Sequence, residues 1–267
     1  MVSFGAMIIM VLNTILGVAI PVFLAWWAVK KHNVKLSTIL VGAATFFVFA
    51  MVLEAVVHKL VLTGDRGAAI QGNVLYYALY GGLMAGLFEE TGRFLAMKFL
   101  LKKEPSETKT AVAYGIGHGG LEVILIFALS MVSLLTMAVM INTGMTDMLL
   151  EKAPEASRAQ LSEQFEQLKT VSAGTYLYGL WERISALILH IGLSILVWVA
   201  VRKGGKWLWF FPVAILLHAL VDGLAVILSK SAGYCAIESI VMAMAIAVAG
   251  LAWLVARKAF TTVQEEG

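Results

Sequence analysis

The sequence is poor in charged residues and contains a single cysteine. Only 14% of its 267 residues are charged, whereas soluble domains carry about 25%. Hydrophobic residues make up 60% of the chain. A chain this apolar cannot hide its surface from water, so we expect lipid to surround it. The one cysteine, Cys235, excludes both a disulfide framework and a cysteine-based zinc site.

Several motifs of known chemistry are also absent from the sequence. It has no HExxH zinc motif and no Glu-x-x-His pair of the kind found in di-iron helix bundles. A haem held by two histidines is disfavoured because carboxylates lie beside the histidines. No glycine-rich nucleotide loop, internal repeat or soluble domain is apparent, and we expect no nucleic-acid partner.

What the chain does contain is about seven apolar stretches long enough to cross a bilayer at about 1.5 Å per residue. The predicted spans are 6–29, 36–60, 74–101, 110–141, 174–201, 207–229 and 234–256. The first is longer than a signal-peptide core, and no small-residue cleavage site follows it, so we interpret it as a retained span. The sequence therefore predicts an all-α, polytopic membrane helix bundle forming one transmembrane domain over 1–267.

Basic residues are concentrated in alternate connections between these spans. The connections after the first, third, fifth and seventh spans begin with Lys30 and Lys31, Lys102 and Lys103, Arg202 and Lys203, and Arg257 and Lys258. The other connections are poorer in bases or offset them with acids. By the positive-inside rule, this pattern predicts a multi-pass protein with its N-terminus outside and its C-terminus in the cytoplasm.

One connection, 145–173, is longer than the others and rich in acidic residues. Leu161, Phe165 and Leu168 follow one another at helical spacing within it. We therefore predict an external loop with a short amphipathic helix that starts at Pro154. Such a helix could cover the bundle as a lid or lie on the bilayer as a solvated connector, and the sequence favours neither.

The most informative residues are ionisable side chains inside the predicted spans, because such groups are costly in lipid. Counted from the cytoplasmic ends, Glu89 and Glu90 lie roughly 17 Å deep, His118 about 13 Å, and His190 and His218 about 18 Å. Four helices thus carry glutamate or histidine near one level, and we predict that these side chains meet. Pairing or snorkelling explains the ionisable residues nearer the outer ends, which are Glu54, His58, Glu182, Arg183 and Glu238.

Helical spacing pairs some of these groups. His118 and Glu122 are four residues apart, and so are His218 and Asp222. Residues at this spacing share a helix face, so each carboxylate can orient the neighbouring imidazole or share a ligand with it.

The adjacent Glu89 and Glu90 point about 100° apart on a helix, so they cannot face one site in the same way. Either of them can reach Arg93, which stays charged in lipid surroundings and needs a partner. We expect one carboxylate to serve chemistry and the other to pair with Arg93. The spacing does not decide between them.

A carboxylate beside imidazoles in a partly dry cavity can act as a general base on water. A histidine can then stabilise an oxyanion, or hold a metal that activates the water. Hydrolysis is therefore the predicted reaction class.

Three short motifs resemble those of a known group of membrane proteins. They are EETGR starting at Glu89, YGIGH ending at His118 and HALVD starting at His218. In order and depth they resemble the motifs of the CPBP superfamily, which contains the type II CAAX prenyl endopeptidases. The Glu-Glu-x-Gly-Arg form, the run from His118 to Glu122 and the polar fifth span resemble more narrowly the YhfC family of intramembrane metalloproteases. The resemblance covers the chain from roughly the third span onward.

This resemblance implies an intramembrane peptidase in which a glutamate and a histidine activate water while a later histidine with its acidic partner supports the oxyanion. The implied catalytic candidates are Glu89, Glu90, His118, His218 and Asp222, with Arg93 and Glu122 in support. The candidate metal ligands are His118, His190 and His218, for a divalent metal such as zinc. The implied substrate is a membrane-anchored peptide or protein, cut from the cytoplasmic side at the plasma membrane of a prokaryote.

The sequence departs from the superfamily pattern at three points, the mildest of which is Tyr114, where phenylalanine is more usual. Two residues separate Glu90 from Arg93, where three are usual, so either Glu89 or Glu90 could be the catalytic one. His190 has no counterpart in the three motifs, and it is either an extra metal ligand or a packed histidine.

Two other functions stay open. A non-catalytic scaffold would keep the fold and the polar site but bind partner helices. A transporter coupled to protons or a solute would use the same ionisable residues, although inverted repeats and paired broken helices are absent. A glutamate and histidine site that opens toward the cytoplasm would favour the peptidase.

Overall fold

The computed structural model describes residues 1–261, and the regular elements of that part of the chain are all helical. In chain order they are α1 (Phe4–His32), α2 (Leu36–Val61), α3 (Gly64–Gln71), α4 (Val74–Leu95), α5 (Thr108–Thr143), α6 (Thr146–Lys152), α7 (Glu155–Thr170), α8 (Thr175–Lys203), α9 (Phe210–Leu228) and α10 (Tyr234–Thr261). The predicted all-α bundle is confirmed.

Six helices within residues 1–261 are long and apolar enough to cross a bilayer, namely α1, α2, α5, α8, α9 and α10. The predicted span at 74–101 corresponds to α4 and its π-helical continuation, Ala96–Leu100. This helix does not reach the apolarity of the other six, and it carries two glutamates and an arginine of the polar layer. The protein is therefore a multi-pass membrane protein, and a seventh crossing by α4 stays a prediction.

The basic connections lie at one end of the bundle. At one end, Lys35 forms an ion pair with Glu104 at 2.8 Å, and Arg202 donates a hydrogen bond to the Glu104 carbonyl oxygen. We call this end, where the connections after α1, α4 and α8 meet, the basic end. At the opposite end, the backbone N–H of Val2 donates to Asn142 Oδ1 at the end of α5. The basic connections therefore lie together, away from the N-terminus.

The central helix of the bundle is α8, which packs against α5, α9 and α10. Its side chains from Leu193 to Ala200 are buried, and Trp198 is fully so. Because α8 is covered on several faces, His190 lies among side chains from neighbouring helices. A second close pair is formed by α4 and α9, which brings the glutamates of α4 beside the histidine of α9.

The crossing of α2 and α5 depends on two glycines. A Cβ atom on Gly42 would lie 2.1 Å from the Tyr114 carbonyl oxygen, and one on Gly117 would lie 1.8 Å from the Ile39 carbonyl oxygen. Only glycine permits backbones to approach this closely. The contact fixes the stretch of α5 that carries the motif histidine.

Three π-helical segments flank the polar layer. They are Phe47–Glu54 within α2, Ala96–Leu100 after α4, and Val123–Ala128 within α5. Each π turn adds a residue to the helical repeat and rotates the side chains that follow, and such turns are frequent at functional sites. The apolar patterns of the sequence did not predict them.

The acidic connection at 145–173 forms two helices, α6 and α7, where one short amphipathic helix was predicted. Pro154 directly precedes α7, as expected. Phe165 and Leu168 are buried, and Leu168 packs in an apolar cluster with Met131 and Tyr176. The apolar face of α7 is therefore docked on the bundle.

Candidate functional site

Four helices bring carboxylates and imidazoles together in the middle of the bundle. The contributing residues are Glu89 and Glu90 from α4, His118 and Glu122 from α5, His190 from α8, and His218 and Asp222 from α9. The ring centroids of His118 and His190 are 4.9 Å apart, and those of His190 and His218 are 5.3 Å apart. The side chains of the polar layer meet as predicted, and His190 lies between the other two histidines.

Within residues 1–261, Glu89, His118 and His190 form a group of potential metal ligands. Glu89 Oε2 lies 2.8 Å from His118 Nε2 and 3.9 Å from His190 Nδ1. One ligand atom from each of the three residues lies within 4.8 Å of the other two, and all three residues are buried. Two imidazoles and a carboxylate are a common ligand set of hydrolytic zinc sites. Of the three predicted metal ligands, His118 and His190 belong to this group and His218 does not.

The surroundings of the two histidines are compatible with a bound metal. Glu122 Oε2 lies 2.5 Å from His190 Nε2, and a carboxylate in this position commonly orients a metal-binding imidazole. His118 Nδ1 is buried and has no hydrogen-bond partner, so a water or another ligand is needed to satisfy it. The residues present thus fit a divalent metal.

Arg93 determines the hydrogen-bonding state of His190. Its Nη2 atom donates to His190 Nδ1 at 3.0 Å. Because a guanidinium group only donates, we assign Nδ1 as the acceptor and place the proton of His190 on Nε2, which faces Glu122. A metal bound to His190 Nδ1 would replace the hydrogen bond from Arg93.

The two adjacent glutamates have different partners. Glu90 is fully buried and forms an ion pair with Arg93 at 2.9 Å, and its Oε1 atom also lies 2.8 Å from His218 Nδ1. Glu89 instead contacts His118. One glutamate therefore pairs with the arginine and the other faces the histidines, as predicted, and the structure identifies Glu90 as the paired one.

The two predicted histidine–carboxylate pairs have different outcomes. Asp222 Oδ2 lies 3.5 Å from His218 Nε2, so these side chains share a face as expected, at more than hydrogen-bond distance. Glu122 does not pair with His118. Its Oε1 atom accepts a hydrogen bond from Arg183 Nη1 at 2.7 Å, which turns the carboxylate toward α8 and His190.

A cavity of about 400 Å³ leads away from the site. Its inner end is lined by Glu89, His190 and His218, and its outer end by Glu182 and Tyr234. Because Tyr234 starts α10, next to the connection that follows α9, this cavity runs toward the end of the bundle opposite the basic end.

The expectation that the site opens toward the cytoplasmic, basic end is therefore wrong for this cavity. Fully buried large side chains, including Met97 and Trp198, fill the bundle between the polar layer and the basic end. This cavity therefore opens at the end of the bundle where Glu182 lies.

Sequence reasoning did not assign Arg183 to the site, because it lies near the outer end of its span. The structure places it in the cavity wall, bonded to Glu122 and also to Glu182. Its position seven residues before His190, two helical turns away on the same face of α8, was the available clue. The pairing expected for Glu54 is confirmed by its contact with His58 Nε2 at 3.0 Å.

Comparison with known proteins agrees with the resemblance of the motifs. Residues 16–247 match the family described as YhfC intramembrane metalloprotease. The chain is 38% identical over 260 residues to the uncharacterized membrane protein YhfC of Bacillus subtilis (strain 168), and the alignment covers 97% of this chain and 98% of that protein. No solved structure matches the chain.

Proposed function

The chain belongs to the family of YhfC intramembrane metalloproteases, and on that premise we propose that it hydrolyses a peptide bond of a membrane-associated substrate. The observation that carries this proposal is the buried group of Glu89, His118 and His190, with ligand atoms within 4.8 Å of one another at the end of a cavity. Membership of the wider CPBP superfamily stays a prediction from the motifs.

Glu89, His118 and His190 would hold the metal in this proposal. A bound divalent metal such as zinc polarises the scissile carbonyl and activates a water molecule. Glu122 keeps the His190 ring in place through its contact with Nε2. His218 lies outside the ligand group and serves another role.

We assign proton transfer to Glu89. Its Oε2 atom faces the two histidines, so the second carboxylate oxygen is the one that accepts a proton from the attacking water. The same oxygen can return this proton to the amine nitrogen that leaves when the C–N bond breaks. Burial of the carboxylate excludes bulk water, which strengthens its interactions with the reacting groups.

His218 is placed to stabilise the oxyanion. Its Nδ1 atom is held by Glu90, which is itself held by Arg93. Because the Glu90 carboxylate accepts from Nδ1, the ring donates from Nε2 in its imidazolium form; this atom is only loosely approached by Asp222, and His218 lines the cavity, where it can donate a hydrogen bond to substrate. A donor held in advance near a developing negative charge is an effective catalytic element.

The cellular setting follows from the same premise. We propose the plasma membrane of a prokaryote as the location, with the N-terminus outside and the basic end in the cytoplasm. The substrate is a membrane-anchored peptide or protein.

A cleavage assay in proteoliposomes tests the proposal. The probe is a fluorescein-labelled single-span peptide with a Gly-Pro pair in its apolar segment. Glu89→Gln removes both the proposed proton acceptor and a proposed metal ligand, and it should lower the cleavage rate by at least about 10²-fold. The control is Glu104→Gln, which changes a carboxylate at the basic end, away from the cavity, and should leave the rate nearly unchanged. Full activity of the Glu89 variant would contradict the proposal, and binding of the peptide without cleavage by the unmodified protein would favour a scaffold.

A further inference from the structure

The outer end of the larger cavity, the one of about 400 Å³, contains a buried carboxylate without a partner. Glu238 of α10 lines this cavity and is 7% exposed. Within residues 1–261, its Oε2 atom has no hydrogen-bond partner. An unpaired buried carboxylate is costly, because it has lost its hydration without gaining a donor. The cavity therefore presents an acceptor that a bound ligand can satisfy.

Arg183 lies in the same cavity wall but is already bonded to two other carboxylates. Its Nη1 atom donates to Glu122 and its Nη2 atom to Glu182. The Glu182 side chain is 46% exposed and, like Asp222, lines the cavity. Because one arginine serves two carboxylates and leaves Glu238 without a partner, the outer end has an excess of negative charge.

An aromatic ring lies beside these carboxylates. Tyr234 lines the outer end of the cavity, and its ring stacks on that of Tyr178 with centroids 5.8 Å apart. A cation is attracted to an aromatic face, and an ammonium or guanidinium group can also donate N–H groups to carboxylates. An anion would be repelled by Glu182, and an apolar group would leave the Glu238 oxygen unpaired. The lining thus fits a cationic group that carries N–H donors.

Glu238 is separated from the candidate active site along the bundle axis. It lies about 6 Å from the start of α10, whereas His218 lies about 15 Å from the end of α9. A short connection joins these two helix ends, so the levels of the two side chains differ by about 9 Å. An extended peptide covers about 3.3 Å per residue, so about three residues span this distance.

We propose that the outer end of the larger cavity is a subsite for a lysine or arginine side chain of the substrate, which Glu238 and Glu182 bind about three residues from the scissile bond. This inference rests on the proposed function and specifies its substrate, a membrane-anchored peptide or protein with a basic residue on its outer flank. Such side chains lay their apolar stems along apolar surface and keep the charged head among polar groups. The apolar walls and acidic end of the cavity match both parts.

Peptide binding to the full-length Glu89→Gln variant tests the subsite without turnover. The probes are two fluorescein-labelled single-span peptides with the Gly-Pro pair. One has a lysine about three residues beyond this pair on the outer side, and the other has norleucine there, which has a similar shape and no charge. Vesicles of phosphatidylcholine have no net charge, so the lipid does not attract the lysine. We expect the lysine peptide to bind about tenfold more tightly, which corresponds to about 1.4 kcal/mol.

Substitutions in the same background assign this preference to the subsite. Glu238→Gln should remove it, because an amide cannot form an ion pair with the ammonium group. The matched control is Glu54→Gln, which changes another buried carboxylate, one that does not line the larger cavity, and it should keep the preference. Glu182→Gln changes a more exposed side chain, where the fold is less affected, and it should also lower the preference.

The outcomes separate the subsite from the proposed activity. Equal binding of the two peptides, or an undiminished lysine preference in Glu238→Gln or Glu182→Gln, would overturn the inference. A lysine preference that Glu238→Gln removes, with no cleavage of either peptide by the unmodified protein, would keep the subsite and refute the peptidase. Cleavage of both peptides with equal kcat/KM would keep the peptidase and refute the subsite.

Discussion

The buried ion pair between Glu90 and Arg93 leads to a prediction about stability. Both side chains have 0% exposure, and their charged atoms are 2.9 Å apart. Arg93→Met would leave the Glu90 carboxylate in the core with His218 as its remaining partner. Removing one member of a buried ion pair typically costs about 3–5 kcal/mol, because the other charge is left uncompensated. We expect a decrease in the free energy of unfolding in this range.

Removal of both charges should cost much less. The double variant Glu90→Gln/Arg93→Met leaves no uncompensated charge, and such replacements are often close to neutral. The coupling energy from the double-mutant cycle should therefore reach at least about 2 kcal/mol. Purified protein in mixed detergent micelles, unfolded by increasing denaturing detergent and followed by tryptophan fluorescence, gives the four free energies.

The control for this cycle is the ion pair of Lys35 and Glu104 at the basic end. Lys35 has 63% exposure, and exposed pairs contribute about 0–1 kcal/mol. Lys35→Met should therefore change the free energy of unfolding little. A cost below about 1 kcal/mol for Arg93→Met, or additive effects of the two buried substitutions, would refute the assignment of Glu90 as the structurally paired glutamate.

Two further substitutions test the packing and the orientation of the site. Gly117→Ala places a Cβ atom 1.8 Å from the Ile39 carbonyl oxygen. This overpacking should lower the free energy of unfolding by about 1–3 kcal/mol. Gly81→Ala, with no atom within 4 Å of the new Cβ, should be tolerated, and equal effects of the two on thermal unfolding would contradict the close crossing. Glu122→Gln weakens the contact that orients His190 and should lower metal affinity by about 10–100-fold in a chelator competition assay. Unchanged affinity would rule out that orienting role.

The positions of the helices and the convergence of the site could be predicted from the sequence, for physical reasons. Apolar stretches of bilayer length locate the long helices because backbone groups in lipid must bond internally. Counting residues along these helices placed Glu89, His118, His190 and His218 at one depth, and the structure brings them together. Depth along the helices was enough to identify the polar layer, because an ionisable side chain within the membrane needs a partner at the same depth.

Rotation about the helix axes could not be predicted from the same counts. Glu122 was expected beside His118 but contacts His190, because Arg183 of another helix donates a hydrogen bond to one oxygen of its carboxylate. The choice between Glu89 and Glu90 likewise depended on which face of α4 meets α9. These are tertiary contacts between helices, and spacing within one helix contains no information about them.

The openings of the site were also beyond prediction from the sequence. A smaller cavity lined by Met51 and Ile126 lies beside the π-helical turns at Phe47–Glu54 and Val123–Ala128, and both segments are uniformly apolar in sequence apart from Glu54. The larger cavity runs away from the basic end because Trp198 and its neighbours fill the space on that side. Both cavities depend on how the side chains of neighbouring helices pack, which the sequence of a single helix does not show.

Elemental analysis of the purified protein tests the central claim most directly. We predict about one divalent metal ion per chain in the unmodified protein and nearly none in His118→Ala or His190→Ala, because each removes one of three protein ligands. His58→Ala, which alters a histidine outside the ligand group, should keep its metal. Absence of metal from the unmodified protein, or retention of it by His118→Ala, would contradict a metal centre built on Glu89, His118 and His190.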